Sequence, residues 1–330
     1  MAKPEVFVSR VIPDVGLELL RAHFDVDVWP HDRAPTRDEL IASCKGKDAL
    51  VCLVTEKVDG SVLAEMPSVK IIANVAVGFD NLDVQAATAA GVVMSNTPGV
   101  LDDTTADLAF ALLMAAARRL GEAERVMRSG TWDGWGIMQL MGQDIHHATL
   151  GIVGFGRIGR GVARRAAGFG MQIIYTDAQP VPPEVAAELH ARFVSMDELL
   201  AMADFVTLHV PLMPSTHHLI NAAALAKMKK TAVLVNTSRG PVVEEAALAE
   251  ALRTGVIAAA GLDVYEHEPS ISPALAALEN VVLLPHIGSA SVATRGKMAE
   301  IAARNVIAFF AGEAPPTALN PEVLGRAAKA

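Results

Sequence analysis

Three glycines in the middle of the chain constrain its fold more than any other feature. The pattern Gly154-x-Gly156-x-x-Gly159 follows an apolar run and opens a helical pattern. The first glycine permits a tight turn, the second lets the backbone approach a pyrophosphate, and the third lets helix and strand pack closely. Free N–H groups and the positive dipole end at the start of the helix favour an anion. The motif therefore predicts a strand–turn–helix unit that binds a dinucleotide.

An acidic residue at the end of the next predicted strand specifies the dinucleotide further. Asp177 lies 23 residues beyond Gly154, where a carboxylate accepts hydrogen bonds from the adenosine ribose hydroxyls. The same charge repels the extra phosphate of NADP, and Ala178 and Gln179 supply no cation to attract it. The sequence predicts NAD, with NADP the less favoured alternative.

Short β-branched runs alternate with helical patterns, which predicts an α/β fold of two doubly wound parallel sheets. The first hundred residues contain a helix at 13–23 and predicted strands at 5–9, 25–29, 49–53, 70–74 and 92–94. A second series predicts six strands at 149–153, 172–175, 205–209, 232–236, 258–262 and 281–284. Helices are predicted between them at 159–167, 196–200, 221–227 and 244–254.

Two further helices complete the prediction. An Ala- and Leu-rich stretch predicts one long helix over 104–128, with Asp102 or Asp103 as its N-cap. The tail predicts a helix over 291–310, and we expect it to pack back on the N-terminal part of the chain.

Composition excludes several classes of protein. A net charge of −9 argues against nonspecific nucleic-acid binding. Cys44 and Cys52 form neither a metal-ligand spacing nor a disulfide framework, and we expect no metal. The first residues carry no basic stretch followed by a long apolar one, and no run of about 20 apolar residues predicts a membrane span. We expect a cytoplasmic protein with neither nucleic acid nor membrane as a partner.

Reduction of a ketone with a hydride donor also needs a proton donor and a cation for a neighbouring carboxylate. Arg239 and His286 each follow a predicted strand, at the sheet edge where ligands bind, and supply the cation and the proton donor. A carboxylate beside the imidazole would fix its tautomer. Glu268 can take that role, but Glu266 and His267 lie beside it, and the residues alone do not choose among them.

With these features the chain resembles the D-isomer-specific 2-hydroxyacid dehydrogenases. The matching segments, in order, are 74–80, 105–107, 151–159, 208–212, 236–240, 261–264 and 285–289. The resemblance implies a flavodoxin-like substrate-binding domain (1–100 and 288–330) into which a Rossmann NAD-binding domain (101–287) is inserted. It also implies a homodimer.

The same resemblance assigns roles to individual residues. It implies that Arg239, Glu268 and His286 form the catalytic trio, and that Asp263 holds the nicotinamide carboxamide. The implied cofactor contacts are Thr105, Gly154, Gly156, Arg157, Ile158, Gly159, Asp177, Val210, Pro211, Thr237, Asp263 and Gly288. The implied substrate contacts are Val54, the backbone N–H groups of Val77 and Gly78, Arg239, His286 and Trp135, the last reaching the partner subunit's active site.

Within the family, the chain is most similar to the glyoxylate/hydroxypyruvate reductases, through Trp132, Trp135 and the segment 285–290. This implies NADH-dependent reduction of glyoxylate or hydroxypyruvate to the D-2-hydroxy acid, with the proton from His286. Other D-2-hydroxyacid dehydrogenases remain alternatives. Phosphite dehydrogenases carry a lysine where this chain has Val77, which makes phosphite a poorer fit. An alternative of another class is an NADH-sensing protein that resembles the transcriptional corepressors of this fold.

Overall fold

The computed structural model describes residues 3–324 and separates them into two compact units. The first unit holds the described residues up to Leu101 and those from Ala290 onward, and the second is Asp102–Ser289. Each contains a parallel sheet with helices, which confirms the predicted fold class. Residues 1–2 and 325–330, the ends of the predicted substrate-binding domain, lie outside the described residues.

The first unit has a five-stranded sheet in the order β2-β1-β3-β4-β5, with neighbouring strands parallel. This is the flavodoxin-like order. The strands are β1 (Glu5–Val8), β2 (Asp25–Val28), β3 (Ala49–Cys52), β4 (Ile71–Asn74) and β5 (Val93–Ser95). The helices are α1 (Asp14–His23), α2 (Arg37–Cys44), α3 (Gly60–Ala64), α4 (Val84–Ala90) and the tail helix Val292–Phe310.

Apolar clusters cover both faces of this sheet. Because successive side chains of a strand point to opposite faces, each strand contributes to both clusters. Val6 and Val8 of β1 pack into one apolar cluster, while Phe7 between them packs into the other. The first cluster also contains Leu17 and Leu20 of α1, and Ala299, Ala302, Ala303 and Val306 of the tail helix. The prediction that the tail helix returns to the N-terminal part of the chain is therefore confirmed.

The second unit has a seven-stranded sheet in the order β12-β11-β10-β9-β6-β7-β8, again with parallel neighbours. Counted from the β8 edge, the six strands β8-β7-β6-β9-β10-β11 reproduce the Rossmann order, and β12 extends the sheet at the other edge. The strands are β6 (Thr149–Val153), β7 (Gln172–Thr176), β8 (Ala191–Phe193), β9 (Phe205–Leu208), β10 (Val233–Asn236), β11 (Ala259–Leu262) and β12 (Val281–Leu283). The helices are α5 (Asp102–Ala117), α6 (Leu120–Ser129), α7 (Arg157–Ala167), α8 (Pro183–Glu188), α9 (Met196–Met202), α10 (Ala222–Leu225), α11 (Glu245–Thr254) and α12 (Pro273–Ala276).

The prediction of six strands in this unit was wrong, because β8 adds a seventh at the sheet edge. The strand has three residues and no buried side chain, so the period-two alternation that identifies a half-buried strand is missing. Several short helices, α2, α3, α4, α8 and α12, were also not predicted.

The predicted helix over 104–128 is two helices, α5 and α6. The break falls at Arg119, whose φ of 52° is left-handed. The carbonyl of Ala117 accepts the N–H of Gln143 at 2.9 Å instead of an N–H of the next helical turn. The side chain of Arg119 donates to the carboxylate of Glu122. Asp102 and Asp103 lie in the first turn of α5, not at its N-cap, where their charge favours the helix dipole.

Candidate active site

Three loops that carry the predicted catalytic residues follow three neighbouring strands. Arg239 comes after β10, Glu268 after β11 and His286 after β12, and these strands are adjacent in the sheet. Since the carboxyl ends of parallel strands meet at one edge, the sheet order brings the three loops together.

A carboxylate–imidazole pair is the central contact of this edge. Nδ1 of His286 lies 2.8 Å from Oε2 of Glu268, and both side chains are about one-third exposed. The other carboxylate oxygen, Oε1, accepts the backbone N–H of Tyr265 at 3.0 Å. Glu268 is thus held by two bonds, and with Nδ1 engaged, Nε2 is the ring nitrogen of His286 that can serve a substrate.

The structure shows which acid contacts the imidazole. Glu266 is engaged elsewhere, with His218 at 2.6 Å and with the N–H of Glu245 at 3.1 Å. His267 is exposed. Of the alternatives that the sequence left open, Glu268 is the one that pairs with His286.

The His286 loop is fixed by a buried carboxylate. Asp263 is 1% exposed, and its oxygens accept the N–H groups of Ile287 at 2.7 Å and Gly288 at 2.8 Å. Its carbonyl accepts the N–H of His286 at 2.9 Å. His286 has a φ of 53°, a left-handed conformation that costs free energy and persists only where neighbouring contacts impose it. These contacts give Asp263 a role in shaping the loop, apart from its predicted role toward the cofactor.

Burial and hydrogen bonding set the charge of these acids. Burial raises the pKa of Glu268, but its hydrogen bond and Coulomb attraction to His286 outweigh burial and hold that pKa below the ordinary value. Glu268 is therefore ionised at neutral pH. Burial raises the pKa of Asp263, an effect that the amides of Ile287 and Gly288 partly offset. Burial also raises the pKa of Tyr265 to about 12, so its hydroxyl stays protonated and donates to the carbonyl of Leu284 at 2.8 Å.

The turn that carries Arg239 is built on Asn236. The Asn236 side chain donates to the Arg239 carbonyl at 2.9 Å and accepts the N–H of Ser238 at 3.0 Å. Next along the chain, Gly240 lies so close to the Glu268 loop that a Cβ there would fall 1.8 Å from the carbonyl oxygen of Tyr265. The half-buried Arg239 contributes to lowering the pKa of Glu268, so its positive charge acts on the same edge.

The glycine turn fits a dinucleotide. Gly154 has a φ of +91°, and a Cβ there would lie 2.7 Å from the backbone of His209, whereas a Cβ at Gly156 would meet open space. That space opens at the start of α7, where no side chain caps the first N–H groups. Asp177 accepts the N–H of Phe155 at 2.7 Å, which ties the predicted ribose-binding acid directly to the turn. Arg157 and Ile158 form the first turn of α7.

In the second unit, two buried side-chain polar atoms have no hydrogen-bond partner among residues 3–324. One is the hydroxyl of Thr237, a predicted cofactor residue, and the other is Nδ1 of His209. Burial lowers the pKa of His209 to about 3, so the ring is neutral and Nδ1 needs a partner. Sequence reasoning missed His209, although it stands in the segment 208–212 that carries the family resemblance. Polar groups without partners at this edge are consistent with a site that a ligand completes.

Of the remaining predicted cofactor residues of the second unit, two follow β9 and Thr105 lies in the first turn of α5. Val210 and Pro211 follow β9, and the Thr105 hydroxyl donates to the Gly288 carbonyl at 3.2 Å. Trp135 stands apart from these, 79% exposed, in the segment after α6. Across residues 3–324 no cluster of histidine, cysteine or acidic side chains suits a metal ion. Over the same residues, no helix is long and apolar enough to cross a membrane.

The predicted substrate residues of the first unit lie in loops after β3 and β4. Asn96 donates to the carbonyl of Val77 at 2.7 Å, and Asn74 donates to that of Gly78 at 3.1 Å. In the described part of the chain, the N–H groups of Val77 and Gly78 donate to no acceptor. Adjacent backbone amides with unused donors are groups of the kind that bind anions in proteins. Val54 is half-buried in the loop after β3.

Residues 110–288, more than half of the chain, match the model for the NAD binding domain of the D-isomer specific 2-hydroxyacid dehydrogenases. Together with the relatives below, this match shows that the chain belongs to this family.

Several relatives are similar to this chain over nearly its whole length. A glyoxylate reductase of Thermococcus onnurineus is 50% identical over 326 residues, 98% of this chain and 97% of that protein. One from Korarchaeum cryptofilum is 51% identical over 325 residues, 98% and 97% of the two chains. Among solved structures, a glyoxylate reductase from Paecilomyes thermophila has a TM-score of 0.86 at 35% identity, covering 98% of this chain and 100% of that one. An NADPH-dependent glyoxylate/hydroxypyruvate reductase from Sinorhizobium meliloti, solved with NADP and malonate, has a TM-score of 0.86 at 34% identity, covering 97% and 98%.

Proposed function

We propose that this protein reduces a small 2-oxo acid, glyoxylate or hydroxypyruvate, to the 2-hydroxy acid with NADH. The observation that carries the proposal is the 2.8 Å contact between His286 and the ionised Glu268, placed at the ligand-binding edge of a Rossmann sheet. Relatives that cover nearly the whole chain at about 50% identity are glyoxylate reductases, which supports glyoxylate first.

The chemistry divides between cofactor and protein. A bound reduced nicotinamide would supply the hydride to the carbonyl carbon. His286 would donate a proton from Nε2 to the carbonyl oxygen, while Glu268 holds Nδ1–H and stabilises the charged ring. In the reverse direction the neutral His286 would accept the hydroxyl proton. Arg239 would bind the carboxylate of the substrate and polarise the adjacent carbonyl.

The loop at Val77 and Gly78 supplies a second element of carboxylate binding. Its two N–H groups are donors that a carboxylate can accept. The peptides that carry them are held in place, because the carbonyl of Ala76 accepts the N–H of Thr97 at 2.8 Å and the carbonyl of Val77 accepts the side chain of Asn96 at 2.7 Å. A valine at position 77 provides no cation for a doubly charged anion such as phosphite. We therefore propose a monocarboxylate ligand for this loop, with Val54 beside the substrate.

For the cofactor we propose NAD over NADP. Asp177 is exposed at the end of β7 and already accepts the N–H of Phe155, so its charge stands where the adenosine ribose would bind. A 2′-phosphate there would meet this carboxylate with no cation from Ala178 or Gln179. The Sinorhizobium meliloti relative is NADPH-dependent, so cofactor preference varies within the family.

We also propose a cytoplasmic homodimer. The segment 120–141 exposes seven large apolar side chains: Leu120, Met127, Trp132, Trp135, Ile137, Met138 and Met141. Helix α6 buries none of its own residues, and a cavity of about 350 Å³ between Arg119, Met141 and Glu279 adjoins it. A second copy would cover this surface, with Trp135 reaching the partner's active site. Light scattering should give twice the chain mass of 34.7 kDa, and a monomer at micromolar concentration would refute the dimer.

Initial rates test the proposed activity. Glyoxylate, hydroxypyruvate and pyruvate are each assayed with NADH and with NADPH, and phosphite is assayed with NAD. We expect the highest kcat/KM for glyoxylate or hydroxypyruvate with NADH. NADH binding without turnover of any 2-oxo acid would replace the proposal by an NADH-sensing protein, and NADH formation from phosphite would replace it by phosphite oxidation.

A further inference from the structure

His218 contacts two of the three loops that carry the proposed catalytic residues. Its backbone N–H donates to the carbonyl of Pro241 at 2.8 Å, two residues beyond Arg239. Its ring nitrogen Nε2 lies 2.6 Å from Oε1 of Glu266, two residues before Glu268. One residue outside the proposed site thus contacts both the Arg239 turn and the Glu268 loop.

The partner of this imidazole is held firmly from its other side. The second carboxylate oxygen of Glu266 accepts the N–H of Glu245 at 3.1 Å, and the N–H of Glu266 donates to the Glu245 carboxylate at 3.0 Å. Glu245 is the first residue of α11, so the charge of Glu266 also lies at a helix N-terminus. The Glu268 loop is therefore attached both to α11 and to His218.

The hydrogen bond between Glu266 and His218 lies in a partly buried position and has a charged acceptor. The side chains are 18% and 32% exposed. Burial raises the pKa of Glu266, but its hydrogen bond to His218 helps to hold that pKa below the ordinary value. An ionised acceptor makes a stronger hydrogen bond than a neutral one.

Close packing makes the two loops sensitive to each other. A Cβ at Gly240 would fall 1.8 Å from the carbonyl oxygen of Tyr265, so the Arg239 turn and the Glu268 loop meet at backbone distance. Tyr265 in turn donates its N–H to Glu268. A shift of the Glu268 loop would therefore change both the carboxylate that holds His286 and the backbone beside Arg239.

We infer that His218 is a positioning residue, which aligns the Glu268 loop with the Arg239 turn through its bonds to Glu266 and Pro241. The inference rests on the proposed function for its effect on turnover. The hydrogen bonds of His218 go to Glu266 and Pro241, so it acts on the catalytic residues through these two neighbours. Its effect should therefore fall on kcat and leave cofactor affinity unchanged.

Three variants separate this role from general stability. His218 has a φ of 50°, a conformation that asparagine tolerates well, so His218→Asn preserves the backbone but is too short to reach Glu266. His218→Gln carries an amide at the distance of Nε2 and can restore the bond. His217→Asn is the matched control, because His217 is the exposed neighbour whose ring stacks on that of His218, while its backbone N–H donates to Met213 rather than to either loop.

We expect His218→Asn to lower kcat for glyoxylate by roughly tenfold or more, since small misplacements of catalytic groups are costly. The KM for NADH should stay within about twofold in all three variants. His218→Gln should recover most of the rate, and His217→Asn should retain it. Unchanged kcat in His218→Asn, or equal losses in His218→Asn and His218→Gln, would overturn the inference.

Hydrogen exchange supplies a readout that does not depend on activity. In His218→Asn, the amides of Gly240, Val242, Val243 and Glu266 should exchange faster than in the unmutated protein, while those of β6 should not change. If the unmutated protein fails to reduce glyoxylate, the proposed function fails, and exchange alone still decides whether His218 connects the loops. Unchanged exchange in both loops would refute the connection.

Discussion

Replacement of Asp263 by asparagine tests whether this buried carboxylate shapes the His286 loop. Asparagine keeps one acceptor oxygen, but its amide group then faces one of the two N–H donors of Ile287 and Gly288. A hydrogen bond to a charged group contributes about 1.5–3 kcal/mol. Removal of a carboxylate whose pKa burial has raised offsets part of that loss. The expected net loss in the free energy of unfolding is about 2 kcal/mol.

Thermal unfolding and turnover measure the two consequences. For a unit of this size, a loss of about 2 kcal/mol lowers Tm by roughly 4–8 °C. The left-handed conformation of His286 also loses support, so kcat for glyoxylate should fall by about tenfold or more.

Asp204→Asn is the matched control for this experiment. Asp204 also accepts a backbone N–H, from Thr149 at 2.9 Å, but it precedes β9 and so lies at the other end of the sheet. Its replacement should cost stability while kcat stays within about twofold. An unchanged Tm and kcat in Asp263→Asn, or an equal loss of kcat in the control, would show that Asp263 does not shape the His286 loop.

Three further predictions concern charge and protonation. Asp177→Asn should keep an acceptor for the turn but remove the repelling charge, so the ratio of kcat/KM for NADH to that for NADPH should fall by about tenfold or more; an unchanged ratio would contradict the cofactor proposal. Glu268→Gln should lower kcat by about 100-fold. Because the pKa of Glu268 is lowered on folding, the unmutated protein should have the higher free energy of unfolding above about pH 4, and this difference should shrink at lower pH. A difference that grows on acidification would contradict this prediction. Burial raises the pKa of Cys44 to about 12 and also raises the pKa of Cys52, so neither thiol should react with Ellman's reagent at pH 8 until the protein unfolds. The free energy of unfolding should fall as pH rises above about 8.5, where unfolded thiols ionise; labelling of the native protein would contradict this.

Much of the fold was predictable because its signals are local. Most strands of the two sheets are apolar runs, with β2 and β8 as exceptions, and the glycine turn identifies the strand–turn–helix unit by itself. Helix α2 shows a missed local signal, since Thr36 and Glu39 form a capping box in the structure and have its spacing in the sequence. The break between α5 and α6 was not accessible in this way, because it depends on the bond between Ala117 and Gln143, a contact between distant residues.

The sequence predicted which residues form the candidate site but not which of them contact one another. Strand ends located Arg239 and His286, whereas the choice between Glu266 and Glu268 depends on which carboxylate the loop turns toward the imidazole. His218 and Asp263 show the same limit. The hydrogen bonds of His218 to Pro241 and Glu266, and those of Asp263 to the His286 loop, join segments that are distant in the sequence. Only folding brings these segments together.

Turnover of glyoxylate with NADH by His286→Asn tests whether His286 is the proton donor. Asparagine tolerates the left-handed conformation at this position but has no proton to give near neutral pH. We expect a loss of kcat of about 100-fold to 10,000-fold, with the Kd for NADH, measured by fluorescence titration, unchanged from the unmutated protein. Turnover close to that of the unmutated protein would show that the proton comes from another group.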